Sequence, residues 1–153
     1  MTEKRRLRLD DQLCFALYAA TNAITRTYRP LLQEIGLTYP QYLVMLVLWQ
    51  DGELSVQGIA RRLGLSSNAV TPLLDRLVDG GLVLRRRDTE DRRVIRIAAT
   101  RRGADLERAA FEAQQAVVCR TELPPDDFAV LREELLALAR RMGGEEAPTH
   151  APR

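Results

Sequence analysis

Apolar residues along most of this chain recur with a helical period. Leu13, Leu17, Ala20, Ile24 and Leu31 follow 4-3-4-7 spacing. That seam predicts a long amphipathic helix from residue 10 to near residue 35, closed by Gly36. Cys14, Tyr18, Thr21, Thr25, Tyr28 and Leu32 form the adjoining stripe of the same helix. Thr38 predicts an N-cap, with Gln41 at the capping-box position and Pro40 in the first turn. Residues 42–49 are apolar nearly all round, so this second helix is expected to be buried. After the Asp51-Gly52 turn, Ser55 can cap a short helix carrying Ile59, Ala60 and Leu63. Gly64 breaks it. Ser66 or Ser67 caps the next helix, which ends at Gly80-Gly81. Two short helices joined by a tight glycine turn predict a helix-turn-helix.

The period then changes. Residues 82–87 and 94–98 read as two strands around a charged loop, a β-hairpin wing. Thr100 caps a fifth helix with a small-residue seam of Leu106, Ala110, Ala113 and Val117. Pro124-Pro125-Asp126 starts a sixth, with Phe128, Leu131, Leu135, Leu138 and Met142 at heptad spacing and a stop at Gly143-Gly144. Residues 145–153 read as a disordered tail. The expected fold is mainly α with a small β-wing, a winged helix-turn-helix flanked by N- and C-terminal helices that form a dimerisation region. The terminal helices carry more apolar seam than one small domain covers, which marks an interface and predicts a homodimer. A two-fold dimer presents two reading heads to a pseudo-palindromic site on double-stranded DNA.

Composition narrows the class. The chain has 153 residues, 46% hydrophobic and 29% charged, as in one ordinary globular domain. Two cysteines cannot build a secreted disulfide framework, so a cytoplasmic location is expected. Residues 1–8 are basic, but no apolar signal core follows. No apolar run is long enough to span a membrane. The one histidine, His150, argues against a His-based metal site, so neither metal nor other cofactor is expected. Net charge is only +2, yet residues 85–102 hold eight arginines against three acids. That stripe reads as a phosphate-binding edge or as a solvated charge run.

In the recognition helix, Ser66, Ser67, Asn68 and Thr71 lie in the first turns, where short polar groups reach base edges or phosphates. Ser66 serves equally well as a cap alone. Arg76 is placed for a phosphate; Arg61 and Arg62 are weaker candidates. Arg93 near the wing tip can enter a minor groove, with Asp91 orienting its guanidinium. An ordinary hairpin salt bridge fits the same pair. Cys14 reads either as a small core residue or as a reactive thiol, since the positive end of a helix stabilises thiolates.

Asp88-Thr89-Glu90-Asp91-Arg92-Arg93, followed by Ile95, Ile97, Thr100 and Gly103, resembles the wing of MarR-type winged-helix regulators. Leu9-Asp10-Asp11-Gln12-Leu13-Cys14-Phe15-Ala16-Leu17-Tyr18 resembles the sensing segment of the OhrR branch, the organic-hydroperoxide-sensing repressors. Tyr28-Arg29-Pro30-Leu31-Leu32 and Leu37-Thr38-Tyr39-Pro40-Gln41-Tyr42-Leu43 resemble its tyrosine segments. The resemblance implies a single domain over residues 1–153, with dimerisation helices at 8–35 and 100–142, a winged helix-turn-helix at 55–98 and a flexible tail at 143–153. It implies Cys14 as the peroxidatic sensor, a sensor pocket of Tyr18, Tyr28 and Tyr39, and the Asp91–Arg93 pair on DNA. Cys119 resembles the second cysteine of the two-cysteine subclass, or it is a core residue. Cys14 and Tyr28 are 14 residues apart on one face, about 21 Å in a straight helix. A pocket using both residues therefore favours the interface of two copies.

The function this implies is a repressor, not an enzyme. An organic hydroperoxide oxidises Cys14, an intersubunit disulfide with Cys119 forms, and DNA is released. A MarR-type repressor released by a phenolic or aromatic ligand is one alternative. A thiol peroxidase is another, which the helix-turn-helix and basic wing argue against.

Overall fold

The first helix begins three residues later than its apolar spacing predicts. In the computed structural model, which describes residues 6–143, Leu9–Asp11 form a single 3-10 turn and Gln12 is extended, with φ −93° and ψ 118°. Gln12 spends its side-chain amide on the Arg8 carbonyl at 3.1 Å and caps nothing. Helix α1 therefore runs Leu13–Glu34, and Cys14 is its second residue. Gly36, at φ 73°, closes it through a bond from the Leu37 amide back to the Leu32 carbonyl at 3.0 Å.

Helix α2, Tyr39–Asp51, starts from the expected capping box. The Thr38 amide donates to Gln41 Oε1 at 2.9 Å and the Gln41 amide to Thr38 Oγ1 at 3.4 Å. Its all-round apolarity makes it the central element: Val44, Met45, Val47 and Leu48 are buried, and it packs on α1 and on the head.

The head follows from caps and glycines. Ser55 caps α3, Val56–Leu63; Gly64 in the left-handed region ends it; Ser66 caps α4, Ser67–Asp79. Strands β2, Val83–Arg87, and β3, Ile95–Ala99, pair antiparallel with Val83 opposite Ala99 and Arg87 opposite Ile95. A two-residue strand β1, Leu54–Ser55, joins β3 from the other side, giving the order β1-β3-β2. The sequence reading had only the hairpin, because two residues between a turn and a cap carry no period. Ile59, Val70, Leu74, Leu77 and Ile97 close the head's core; each such side chain contributes about 1.5–3 kcal/mol on burial.

The expected fifth helix is two: α5, Arg101–Asp105, and α6, Glu107–Arg120. Thr100 caps α5, accepting from the Gly103 amide at 3.1 Å, and its hydroxyl donates to the Gly81 carbonyl at 2.7 Å. The Trp49 indole donates to the Gly103 carbonyl at 2.9 Å. Head, α2 and α5 thus meet at one joint around Gly103. Helix α6 packs back on α1 through Ala110, Ala113 and Val117. Helix α7 spans Pro125–Gly143, buries none of its residues, and leaves Val130, Leu131, Leu135 and Met142 exposed. The expected tail lies outside the described residues, apart from Gly143, which ends α7. No helix among the described residues is long and apolar enough to cross a membrane.

Candidate redox site and DNA-binding face

Both thiols are free and exposed, so neither is a core residue of this chain. Cys14 stands in the first turn of α1 with Tyr18 one turn further on, and Tyr18 is 66% exposed. Cys119 is next to last in α6. A groove between the two helices is lined by Ala20, Ala23, Ile24 and Thr27 of α1 and by Val117, Arg120 and Thr121. The end of α6 therefore lies beside the middle of α1. Ala20, the nearest of those positions, is already about 9 Å along the axis from Cys14. A disulfide needs Cα atoms within about 7 Å. In this structure the two thiols stand free of each other.

Tyr28 and Tyr39 come together as expected, from α1 and the first turn of α2. Their ring centroids are 5.3 Å apart and tilted by 48°. A third phenol that the sequence reading left out, Tyr42, lies 5.3 Å from Tyr28 and 6.0 Å from Tyr39, with Trp49 behind it at 6.5 Å. Its place within an apolar run marked it as core. The tyrosine pair at i and i+3, which puts Tyr39 and Tyr42 on one helical face, was the available signal. Burial pushes the hydroxyls of Tyr28, Tyr39 and Tyr42 above the ordinary phenol range. All three stay neutral at physiological pH and so keep a proton to donate. A cavity of about 280 Å³ opens beside this cluster, lined by Thr25, Arg29, Gln33 and Tyr39 among others. Tyr18 does not join these rings. Cys14 also does not, since α1 is one continuous helix and Tyr28 lies about 21 Å along it.

On the head, Ser66 does act as a cap: its Oγ accepts from the Ala69 amide at 3.2 Å. Thr71, exposed, donates its Oγ1 hydroxyl back to the Ser67 carbonyl of its own helix at 2.9 Å. Asn68 and Arg76 are exposed and Ser67 half-buried. Between the head and the wing lies a notch of about 380 Å³, lined by Ser55, Gln57, Ser67, Arg93 and Ile95 among others.

The wing loop is organised by a residue the sequence did not single out. Asp88 accepts from Arg96 Nε at 2.6 Å and from the amides of Glu90 at 2.8 Å and Asp91 at 3.1 Å. The Arg96 guanidinium, then those amides, hold its carboxyl down to about 2. A depressed carboxyl stabilises the fold above its unfolded value of about 3.9 and loses that contribution only as pH falls through its folded value. The loop geometry is therefore insensitive to pH near neutrality. Asp91 then forks Arg93, with Nε to Oδ1 at 3.1 Å and Nη2 to Oδ2 at 3.2 Å, while the Arg93 side chain stays 91% exposed.

The arginine stripe is less basic than its count suggests. Arg85 pairs with Asp75 of α4, Arg86 with Glu53, Arg96 with Asp88 and Arg101 with Asp105. Arg62, one of the two weaker phosphate candidates, pairs with Asp51 and ties α3 to α2. Among the described residues, Arg87, Arg92 and Arg102 have no carboxylate partner.

Loss of the exposed Arg93 side chain is expected to cost about 1–3 kcal/mol of DNA affinity. Asp91→Ala is expected to weaken binding too, although it removes a negative charge, because the free guanidinium loses its fixed direction. Simple electrostatics gives the opposite sign. Fluorescence anisotropy on a bound duplex decides between them, and tighter binding by Asp91→Ala overturns the orienting role.

A model of the MarR family matches residues 37–95. The chain is 36% identical over 132 residues to the organic hydroperoxide resistance transcriptional regulator of Bacillus subtilis, covering 86% of this chain and 90% of the relative. It is 42% identical over 144 residues to the HTH-type transcriptional regulator TtmR of Methylorubrum extorquens, covering 94% of this chain and 74% of the relative. AbfR of Staphylococcus epidermidis has been solved reduced and bound to DNA, at TM-score 0.74 and 37% identity, over 88% of this chain and 94% of that one. It has also been solved with a disulfide formed, at TM-score 0.64 and 36% identity, over 88% and 92%. An alignment that takes in 90% of the Bacillus regulator is too long to reflect a shared winged head alone: the chain belongs to the MarR family of winged-helix transcriptional regulators.

Proposed function

We propose that this regulator is a homodimeric repressor that organic hydroperoxides release from DNA. The observation that carries the reading is the exposed Cys14 in the first turn of α1, on a helix whose own Tyr28 lies about 21 Å away. A two-fold partner supplies what one chain cannot, setting the buried phenols of one copy against the thiol of the other. The exposed apolar residues of α7, together with Leu9 in the 3-10 turn and Leu13 at the start of α1, give that partner a surface.

The chemistry balances without a cofactor. The Cys14 thiolate attacks the terminal peroxide oxygen, the O–O bond breaks with the hydroxyl left on sulfur, and the alkoxide leaves and takes up the proton that the thiol gave to solvent on ionising. Sulfur is oxidised to sulfenic acid and the peroxide is reduced. Neutral Tyr28 and Tyr39 stabilise the thiolate and polarise the peroxide by donating hydrogen bonds. The sulfenic acid then condenses with the Cys119 thiol of the partner, forming the S–S bond and releasing water. The bond would join the start of α1 in one copy to the end of α6 in the other, and drawing those two segments together would move the α1–α6 pair. The joint at Gly103 passes that movement to the head.

Ser66, Ser67, Asn68, Thr71 and Arg76 take the major groove and its phosphates in this reading, and Arg93 the minor groove. The similarity to the Bacillus organic hydroperoxide resistance regulator supports the effector class, and the disulfide form of AbfR supports the second step. Cumene hydroperoxide is expected to release the DNA and dithiothreitol to restore binding, with salicylate inert. Release by salicylate that ignores dithiothreitol would replace the redox reading with a ligand-gated one.

A further inference from the structure

Asp88 uses its two carboxylate oxygens for different partners. Oδ2 accepts from Arg96 Nε at 2.6 Å, and Oδ1 accepts from the amides of Glu90 at 2.8 Å and Asp91 at 3.1 Å. Arg96 belongs to β3, the strand paired on both sides, and stands opposite Arg86 of β2 and Ser55 of β1. Glu90 and Asp91 belong to the loop. One side chain, only 15% exposed, therefore ties the tip of the wing to the middle of the sheet.

The tie continues to Arg93. Asp88 holds the Asp91 amide, and the Asp91 carbonyl accepts from the Val94 amide at 2.9 Å. The Asp91 carboxylate in turn accepts from both the amide and the guanidinium of Arg93. A long exposed side chain loses rotamer freedom when it binds, and that loss opposes association. A fork that moves with a loose loop restrains little. A fork fixed to the sheet restricts the guanidinium before DNA arrives, so less ordering is left to the binding step.

We infer that Asp88 is a positioning residue for DNA binding, acting through Asp91 to aim Arg93 from the sheet. This inference rests on the reading that Arg93 enters a minor groove. It also gives Arg96, one of the eight arginines of the basic stripe, a task inside the wing.

The divided use of the carboxylate sets the test. Asp88→Asn nearly keeps the shape, but it has one carbonyl oxygen and an amide nitrogen that only donates. Its oxygen can stand where Oδ1 stands or where Oδ2 stands, not both. The substitution also removes a negative charge from a DNA-binding loop, so simple electrostatics gives tighter binding. The aiming role gives weaker binding.

Affinity is read by anisotropy on a labelled duplex that the full-length parent selects from a random-sequence pool. All variants are compared below the onset of melting by circular dichroism. Asp88→Asn is expected to weaken binding about three- to tenfold, the scale of one ordinary hydrogen bond. Asp88→Ser, whose hydroxyl can serve the loop amides but is too short for Arg96, is expected to act in the same direction. In an Arg93→Ala background neither substitution is expected to weaken binding further, because no guanidinium is left to aim. If Asp88→Asn costs the same factor with and without Arg93, Asp88 supports the head in general. The inference is then overturned and the minor-groove reading stands. Unchanged or tighter binding by both Asp88 variants overturns it as well. If Arg93→Ala costs no affinity, Arg93 does not face DNA, and the inference falls together with the reading beneath it.

Discussion

Cys14→Ser is expected to bind DNA as the parent does and to ignore organic hydroperoxide completely. The two halves of this result have separate causes. The thiol is exposed and α1 lies outside the head, so exchanging sulfur for oxygen creates no cavity and touches no DNA contact. A surface exchange of this kind stays within about 0.5 kcal/mol. The chemistry, by contrast, disappears. A serine hydroxyl is not a nucleophile at neutral pH without a base, and it cannot climb the sulfenic, sulfinic, sulfonic ladder. Anisotropy of a labelled duplex, before and after cumene hydroperoxide, reads both halves in one titration. A Cys14→Ser protein that still leaves the DNA on peroxide addition sinks the sensor assignment.

Gly103→Ala is expected to have the largest effect on stability. A Cβ built at Gly103 would stand 2.1 Å from the Leu82 carbonyl oxygen and 3.2 Å from the Met45 side chain. The first contact is with backbone, which has little room to yield. The same residue accepts from the Trp49 indole and donates its amide to Thr100. A methyl group there must part the wing base from α5 or break one of those bonds. The expected loss is about 3 kcal/mol, the upper range for overpacking, or a drop in Tm of about 6–12 °C. Because the joint links the head to α5 and α6, the surviving folded protein is also expected to respond to peroxide with less DNA release per oxidised thiol. Thermal melts monitored by circular dichroism check the first expectation. A Tm within a degree or two of the parent shows that the joint tolerates separation.

The parts of this fold that were legible are those decided by residues close in sequence. The Thr38–Gln41 capping box, the glycine stops at Gly36 and Gly64, and the helix-turn-helix all follow from local backbone bonds, and all stand where the sequence puts them. The start of α1 was misplaced because Asp10 and Asp11 look like first-turn acids, while the chain spends them on a 3-10 turn and enters the helix through Gln12. The wing's charge was overestimated for a different reason. Glu53 and Asp75 are remote in sequence from Arg86 and Arg85 and neutralise them only after folding. Asp88 stayed hidden among six polar loop residues, although an aspartate followed by free amides two and three positions on is the pattern of an Asx turn. The meeting of Tyr28 and Tyr39 was legible only through family resemblance, since periodicity alone assigns each to its own helix.

In the proposed mechanism, oxidation couples Cys14 of one copy to Cys119 of the other and thereby releases DNA. Peroxide-treated protein, digested without reduction and analysed by mass spectrometry, tests it most directly, using dimers mixed from isotopically light and heavy chains. The expected result is a Cys14 peptide joined to a Cys119 peptide, with light–heavy pairs present, in proportion to the DNA released. Protein that has left the DNA with Cys119 still a free thiol would contradict it.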